Sequence, residues 1–120
     1  MAVRSGFPIL STRDLARLEA FYVEAFGAER SYAFDDAGRD VYVALSVGGA
    51  RLGIGQDDAL DGSPNGTAIW LYVDDVDTAF RQAIDAGATS VAEPADMPWG
   101  ERVAQLRDPD GFVLHLGAPA

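Results

Sequence analysis

Few side chains in this 120-residue chain are equipped for chemistry. There is one histidine, His115, and no cysteine. Thiolate catalysis, disulfides and cysteine-held zinc or iron–sulfur centres are therefore excluded. Imidazole is the side chain suited to general-base work near neutral pH, but no sequence neighbour is placed to orient His115. The richer signal is aromatic. Trp70 and Tyr72 alternate along the run Ala68-Ile69-Trp70-Leu71-Tyr72-Val73, and Trp99 follows in Pro98-Trp99-Gly100. Large rings beside glycine-floored positions suit the stacking of a flat ligand more than bond making. Asp74, Asp75 and Asp77 read as a helix cap with first-turn dipole partners rather than a metal cluster. Gly48-Gly49 with Gly53 and Gly55 lacks the strand-to-helix context of a phosphate loop. Asp108-Pro109-Asp110-Gly111 reads as a turn.

Nineteen acidic residues against nine basic ones give a net charge of −10, and all nine basic residues are arginine. Phosphate backbones and anionic membrane surfaces both need a basic face, so neither is an expected partner. Such a field draws in cations. Apolar residues make up 48% of the chain, enough for a core without disulfides or a structural metal. No apolar run is long enough to span a bilayer, and the beginning MAVRSGFPIL lacks the pattern of a secretion leader. The expected location is cytoplasmic.

The elements that would position these side chains repeat. A strand at 7–12 leads into a helix at 13–26, capped by Ser11 or Thr12, with Leu15, Leu18, Tyr22 and Phe26 on one stripe and Gly27 ending it. Strands are expected at 30–34, 41–47 and 50–55, the last two joined by a Gly48-Gly49 hairpin turn. The polar stretch 56–66 reads as a linker, after which the order resumes. A strand at 67–73, a helix at 75–86 ended by Gly87, and strands at 91–93, 102–107 and 112–117 complete it. The chain thus reads as one α+β domain over 1–120 with two tandem βαβββ modules, about 1–60 and 66–120. They would form a curved, trough-like mixed sheet with helices on its outer face.

Strand alternation assigns the faces. Phe112, Leu114 and Leu116 should face a helix, as should Leu52, Ile54, Ile69, Leu71, Val73, Pro8 and Leu10. His115, Arg51, Gly53, Gly55, Ala68, Trp70, Tyr72, Phe7 and Ile9 are then left to line the trough.

The βαβββ duplication, the helix entry Thr12-Arg13-Asp14-Leu15, the Asp108-Pro109-Asp110-Gly111 turn and the final Leu114-His115-Leu116 resemble the vicinal-oxygen-chelate superfamily of glyoxalases, extradiol dioxygenases and bleomycin-resistance proteins. In the enzymes of that family a metal is held from four strand positions. The resemblance places Phe7, Gly53, Ala68 and His115 there, and three of these cannot coordinate, so no metal or other cofactor is expected. The metal-free bleomycin-resistance branch is the more similar one. Phe7-Pro8-Ile9-Leu10 looks like its first strand, which is exchanged between subunits of a homodimer. Asp35-Asp36 fits its acidic turn, and Pro98-Trp99-Gly100 resembles the segment whose tryptophan packs on the flat part of the drug. Asp57 lies in a loop that borders the crevice in those drug binders.

The expectation is a homodimer that sequesters a flat, hydrophobic, partly cationic small molecule, such as a bleomycin-type or other peptide antibiotic, without chemical change, thereby conferring resistance. Trp70, Tyr72 and Trp99 would stack on it, with Phe34 and Phe7 beside them. Gly53 would floor the site, His115 and Arg51 would face it, and Asp35, Asp36 and Asp57 would attract it. The alternative is a glyoxalase-like lyase or isomerase using His115, with weakly bound metal or none. A third reading is a subunit that binds a partner protein through its acidic surface.

Overall fold

The computed structural model describes residues 5, 7–61 and 67–120. The element order is β1 (Ile9–Thr12), α1 (Leu15–Phe26), β2 (Glu29–Asp36), β3 (Arg39–Val47), β4 (Ala50–Gln56), β5 (Ala68–Tyr72), α2 (Val76–Asp85), β6 (Thr89–Asp96), β7 (Glu101–Arg107) and β8 (Val113–Pro119). These are the two tandem βαβββ modules the sequence predicts, in an α+β fold without a closed barrel. Each module builds its own four-stranded mixed sheet, ordered β1-β4-β3-β2 and β5-β8-β7-β6. The first strand of each sheet pairs parallel to the last strand of its module, and the remaining pairs are antiparallel.

Local chemistry explains the ends. Asp14, rather than Ser11 or Thr12, caps α1: its carboxylate accepts the Arg17 N–H at 3.1 Å. Thr12 sits two residues earlier, its Oγ1 accepting the Asp14 N–H. Asp75 caps α2 in the same way through Thr78. Gly27 closes α1 in the left-handed conformation that a side chain disfavours. The turn between β2 and β3 puts both Ala37 and Gly38 at positive φ, the geometry of a tight hairpin. Strand β6 is longer than the run 91–93 suggests, because two irregularities in its pairing with β7 carry it from Thr89 to Asp96.

One buried cluster runs through both modules. It joins Leu10, Leu18, Phe21, Tyr22, Val43, Leu45 and Ile54 to Leu71, Ala83, Leu106, Leu114 and Leu116. The helices α1 and α2 meet at the seam between modules. Leu52, Ile54, Phe112, Leu114 and Leu116 are buried, as the alternation predicts, but Pro8 is exposed. It precedes the first paired residue, Ile9, so the alternation that buries Leu10 has not begun there. Residues 62–66 of the stretch that reads as a linker lie outside the described residues.

Candidate functional site

Each helix covers one face of its sheet, and the other face is left open. On module one, Ile9, Tyr42, Ala44 and Phe34 align across the sheet with Gly53 and Gly55. Phe7, Ile9, Tyr32 and Phe34 are all exposed there. On module two, Ala68, Trp70 and Tyr72 of β5 stand beside Val113, His115 and Gly117 of β8, which in turn face Arg107, Gln105 and Val103 of β7.

The module-two face concentrates the rings. Trp70 and His115 are stacked, with centroids 5.1 Å apart and planes 17° from parallel. The Tyr72 ring lies 5.9 Å from that of Trp70. Trp70, Tyr72 and Trp99 remain 41%, 68% and 62% exposed. Sequence reasoning did not single out the residue that ties them together, Glu101. Its Oε1 accepts the Trp99 indole N–H at 2.7 Å. Hydrogen bonding to the same carboxylate raises the pKa of the Tyr72 hydroxyl, while a hydrogen bond from the Trp70 side chain acts weakly in the opposite direction. The signal was present: Glu101 lies two residues beyond Trp99, in alternation with Val103, Gln105 and Arg107.

The remaining predicted residues separate by module. Gly53 is not an open floor. Tyr42 lies over it, and a Cβ at that glycine would meet the Tyr42 hydroxyl at 2.5 Å. In module two a Cβ at Gly117, the counterpart of Gly55, would meet the Trp70 ring at 3.0 Å. Arg51, Phe7 and Phe34 belong to the module-one sheet and its approach, away from the Trp70 strand. Asp35 accepts the Gly38 N–H and Asp57 the Ala59 N–H, so both carboxylates shape turns, and Asp36 is exposed at the end of β2. Asp77 binds Arg102 through two hydrogen bonds of 2.8 and 3.0 Å.

A divalent metal does not fit the four positions that the resemblance assigns to one. Phe7, Gly53 and Ala68 carry no donor side chain, and the face of His115 is covered by Trp70. Among the described residues no three His, Asp or Glu side chains converge as metal ligands. None of them hydrogen-bonds the His115 ring, so nothing here orients it for proton transfer. No helix among these residues is long and apolar enough to cross a membrane.

Comparison with known proteins gives a consistent picture. The family model described as the Glyoxalase/Bleomycin resistance protein/Dioxygenase superfamily matches residues 5–116. A Mycobacterium bovis protein with a provisional glyoxylase name, CFP32, is 36% identical over 101 residues. That match takes in 84% of this chain but 38% of the relative, so the chain spans well under half its length. The bleomycin resistance determinant encoded on the transposon Tn5 is similar in structure, with a TM-score of 0.70, 28% identity and 98% of each chain covered. A bleomycin-binding protein in complex with bleomycin follows, with a TM-score of 0.65, 26% identity, and 98% of this chain and all of that one covered.

Proposed function

The chain belongs to the glyoxalase/bleomycin resistance protein/dioxygenase superfamily, and we propose that it binds and sequesters a flat, hydrophobic, partly cationic small molecule, of the bleomycin or other peptide-antibiotic kind, without altering it. The observation that carries this reading is the module-two face, where Trp70, Tyr72 and Trp99 stand exposed yet are held, Trp99 by its hydrogen bond to Glu101 and Trp70 by ring contacts with His115 and Tyr72. Rings held in this way lose little freedom when a flat ligand stacks on them. The likeness to a bleomycin-binding protein supports the ligand class, and the net charge of −10 favours a cation.

The module-one face supports a homodimer in the same reading. Phe7, Ile9, Tyr32 and Phe34 form an apolar surface that a second copy would cover, the first strand being exchanged between copies. Each ligand site would then be completed by rings of the partner's other module. In this arrangement the protein confers resistance from within the cytoplasm.

The test is a tryptophan-fluorescence titration with metal-free bleomycin and with a peptide intercalator, in chelator and at two salt concentrations. Sedimentation of the same sample gives the mass. We expect saturable quenching at one ligand per subunit, weakened by salt, on a particle of twice the chain mass. Trp99→Ala should cost about 1–3 kcal/mol of that affinity. Unchanged affinity in Trp99→Ala would remove Trp99 from the site, and turnover of a glyoxalase substrate by the metal-free protein would favour the lyase reading.

A further inference from the structure

We infer that Glu101, with the rings of Trp99, Tyr72 and Trp70 around it, forms a seat for an organic cation of the alkylated-ammonium type. The seat rests on the reading of module two as the ligand face and names the part of the ligand that this corner recognises.

Three features converge. First, the rings gather at one carboxylate. The Trp99 indole N–H donates to Glu101, the same carboxylate raises the pKa of the nearby Tyr72 hydroxyl, and the Tyr72 ring lies 5.9 Å from that of Trp70. Trp99 is held by its edge, which leaves its π faces free, and such faces attract cations. Second, the carboxylate has no cationic partner among the described residues. The adjacent Arg102 points across the sheet to Asp77 and Asp96. Arg107, on the same face further along β7, donates to the Gly111 carbonyl instead. Glu101 is thus an anion served by neutral donors, with acceptor capacity left over. Third, Trp99 and Tyr72 are more than half exposed, so the corner is open to a ligand from solvent. An ammonium bearing methyl groups can satisfy both attractions at once: its charge offsets the carboxylate while its methyl groups lie on the rings. A primary ammonium or a metal ion would keep a tighter hydration shell and gain less from the rings.

The probe is choline, set against its neutral isostere 3,3-dimethylbutan-1-ol at matched ionic strength. With two tryptophans in the chain, a nitrogen-15 correlation spectrum carries two indole N–H signals, and Trp99→Phe identifies one of them. Choline should move the Trp99 signal saturably and bind about tenfold more tightly than the alcohol. Glu101→Gln keeps an oxygen to accept the indole N–H. It should lower choline affinity about tenfold and leave the alcohol unchanged. Equal affinities for choline and alcohol, an unaffected Glu101→Gln, or an unmoved Trp99 signal would each overturn the seat. The flat-ligand titration on the same samples separates the two ideas. Quenching by the flat ligand with no choline preference leaves sequestration standing without the cation seat, whereas loss of both responses removes the reading on which the seat depends.

Discussion

The seam between the modules has two ends related by the duplication, and they have been finished in opposite ways. At one end Tyr22 of α1 reaches the turn between β7 and β8 and donates its hydroxyl to Asp108 Oδ2 at 2.7 Å, both residues being buried. Asp108 also accepts the N–H groups of Asp110 and Phe112, so one carboxylate closes its own turn and holds the neighbouring module. At the other end the residue 60 positions after Tyr22 is Gln82, and the facing turn is Gly48-Gly49, which offers no side chain. Gln82 donates to the Glu24 carbonyl, and a cavity of about 420 Å³ lies beside it, lined by Phe26, Val47, Leu71, Tyr72 and Ala79 among others. One end is locked by a buried polar pair and the other is left open next to Tyr72 of the exposed module-two face. Duplication supplied the same frame twice. The side chains then made one end a fixed joint and the other a gap beneath Tyr72.

The largest expected effect probes the joint. Burial pushes the Asp108 carboxyl up to about 6, outweighing the Tyr22 and backbone hydrogen bonds that favour its charged form. The folded chain therefore holds this proton more tightly than the unfolded chain does. The contribution favours folding fully at low pH and is lost as pH rises from about 4 to about 6, a change of about 3 kcal/mol. Asp108→Asn removes this titration. Eighteen other acidic residues also titrate, so the useful quantity is the stability of Asp108→Asn minus that of the parent, from denaturant unfolding at a series of pH values. It should rise through that window and be level above it. A flat difference would mean that the carboxylate is solvated and the joint is loose.

Tyr22→Phe sharpens the same contrast with a smaller effect. It leaves the packing of α1 in place and withdraws one hydrogen bond from a buried carboxylate, which should cost about 2 kcal/mol at neutral pH. Because that bond lowers the Asp108 pKa, its loss should also shift the titration window upward. The counterpart Gln82→Ala faces a cavity rather than a buried partner, and unfolding measurements on the pair should show the larger loss for Tyr22.

The contrast also shows what was legible in the sequence. Periodicity and punctuation were sufficient for both modules: Leu15, Leu18 and Tyr22 mark the buried stripe of α1, and Gly27 and Gly48-Gly49 mark ends. The alternation in β4, β5 and β8 also separated buried from open faces, because a half-covered sheet imposes a period of two. Pairings between distant segments were not legible. Tyr22 reads as one more apolar residue on a stripe, and Asp108 as the first residue of a turn, until the fold brings them together across 86 positions. Tyr42 over Gly53 depends on the register of β3 against β4, which composition does not encode. Glu101 follows Pro98-Trp99-Gly100 as one more acidic residue among nineteen, and its role is visible only where the indole edge points at it.

The smallest expected effect probes the open end. Ala79 lies on α2, half-buried, with its methyl on the cavity wall. Leucine is as good a helix former, so Ala79→Leu changes mainly how much of the gap is filled. If the gap persists in solution, the added methylenes bury apolar surface without displacing a packed neighbour. The gain should be about 1 kcal/mol, raising the thermal midpoint by about 4 °C. If the modules close on each other, the same side chain would be forced into occupied space and would lower the midpoint by a similar amount. The sign therefore reports whether the seam is rigid at both ends or hinged about the Tyr22–Asp108 joint. The answer reaches the open module-two face through Tyr72, which lines the cavity and whose hydroxyl pKa is raised by Glu101. Stabilisation of the fold with unchanged ligand affinity would show that this ring is held from the Glu101 side alone.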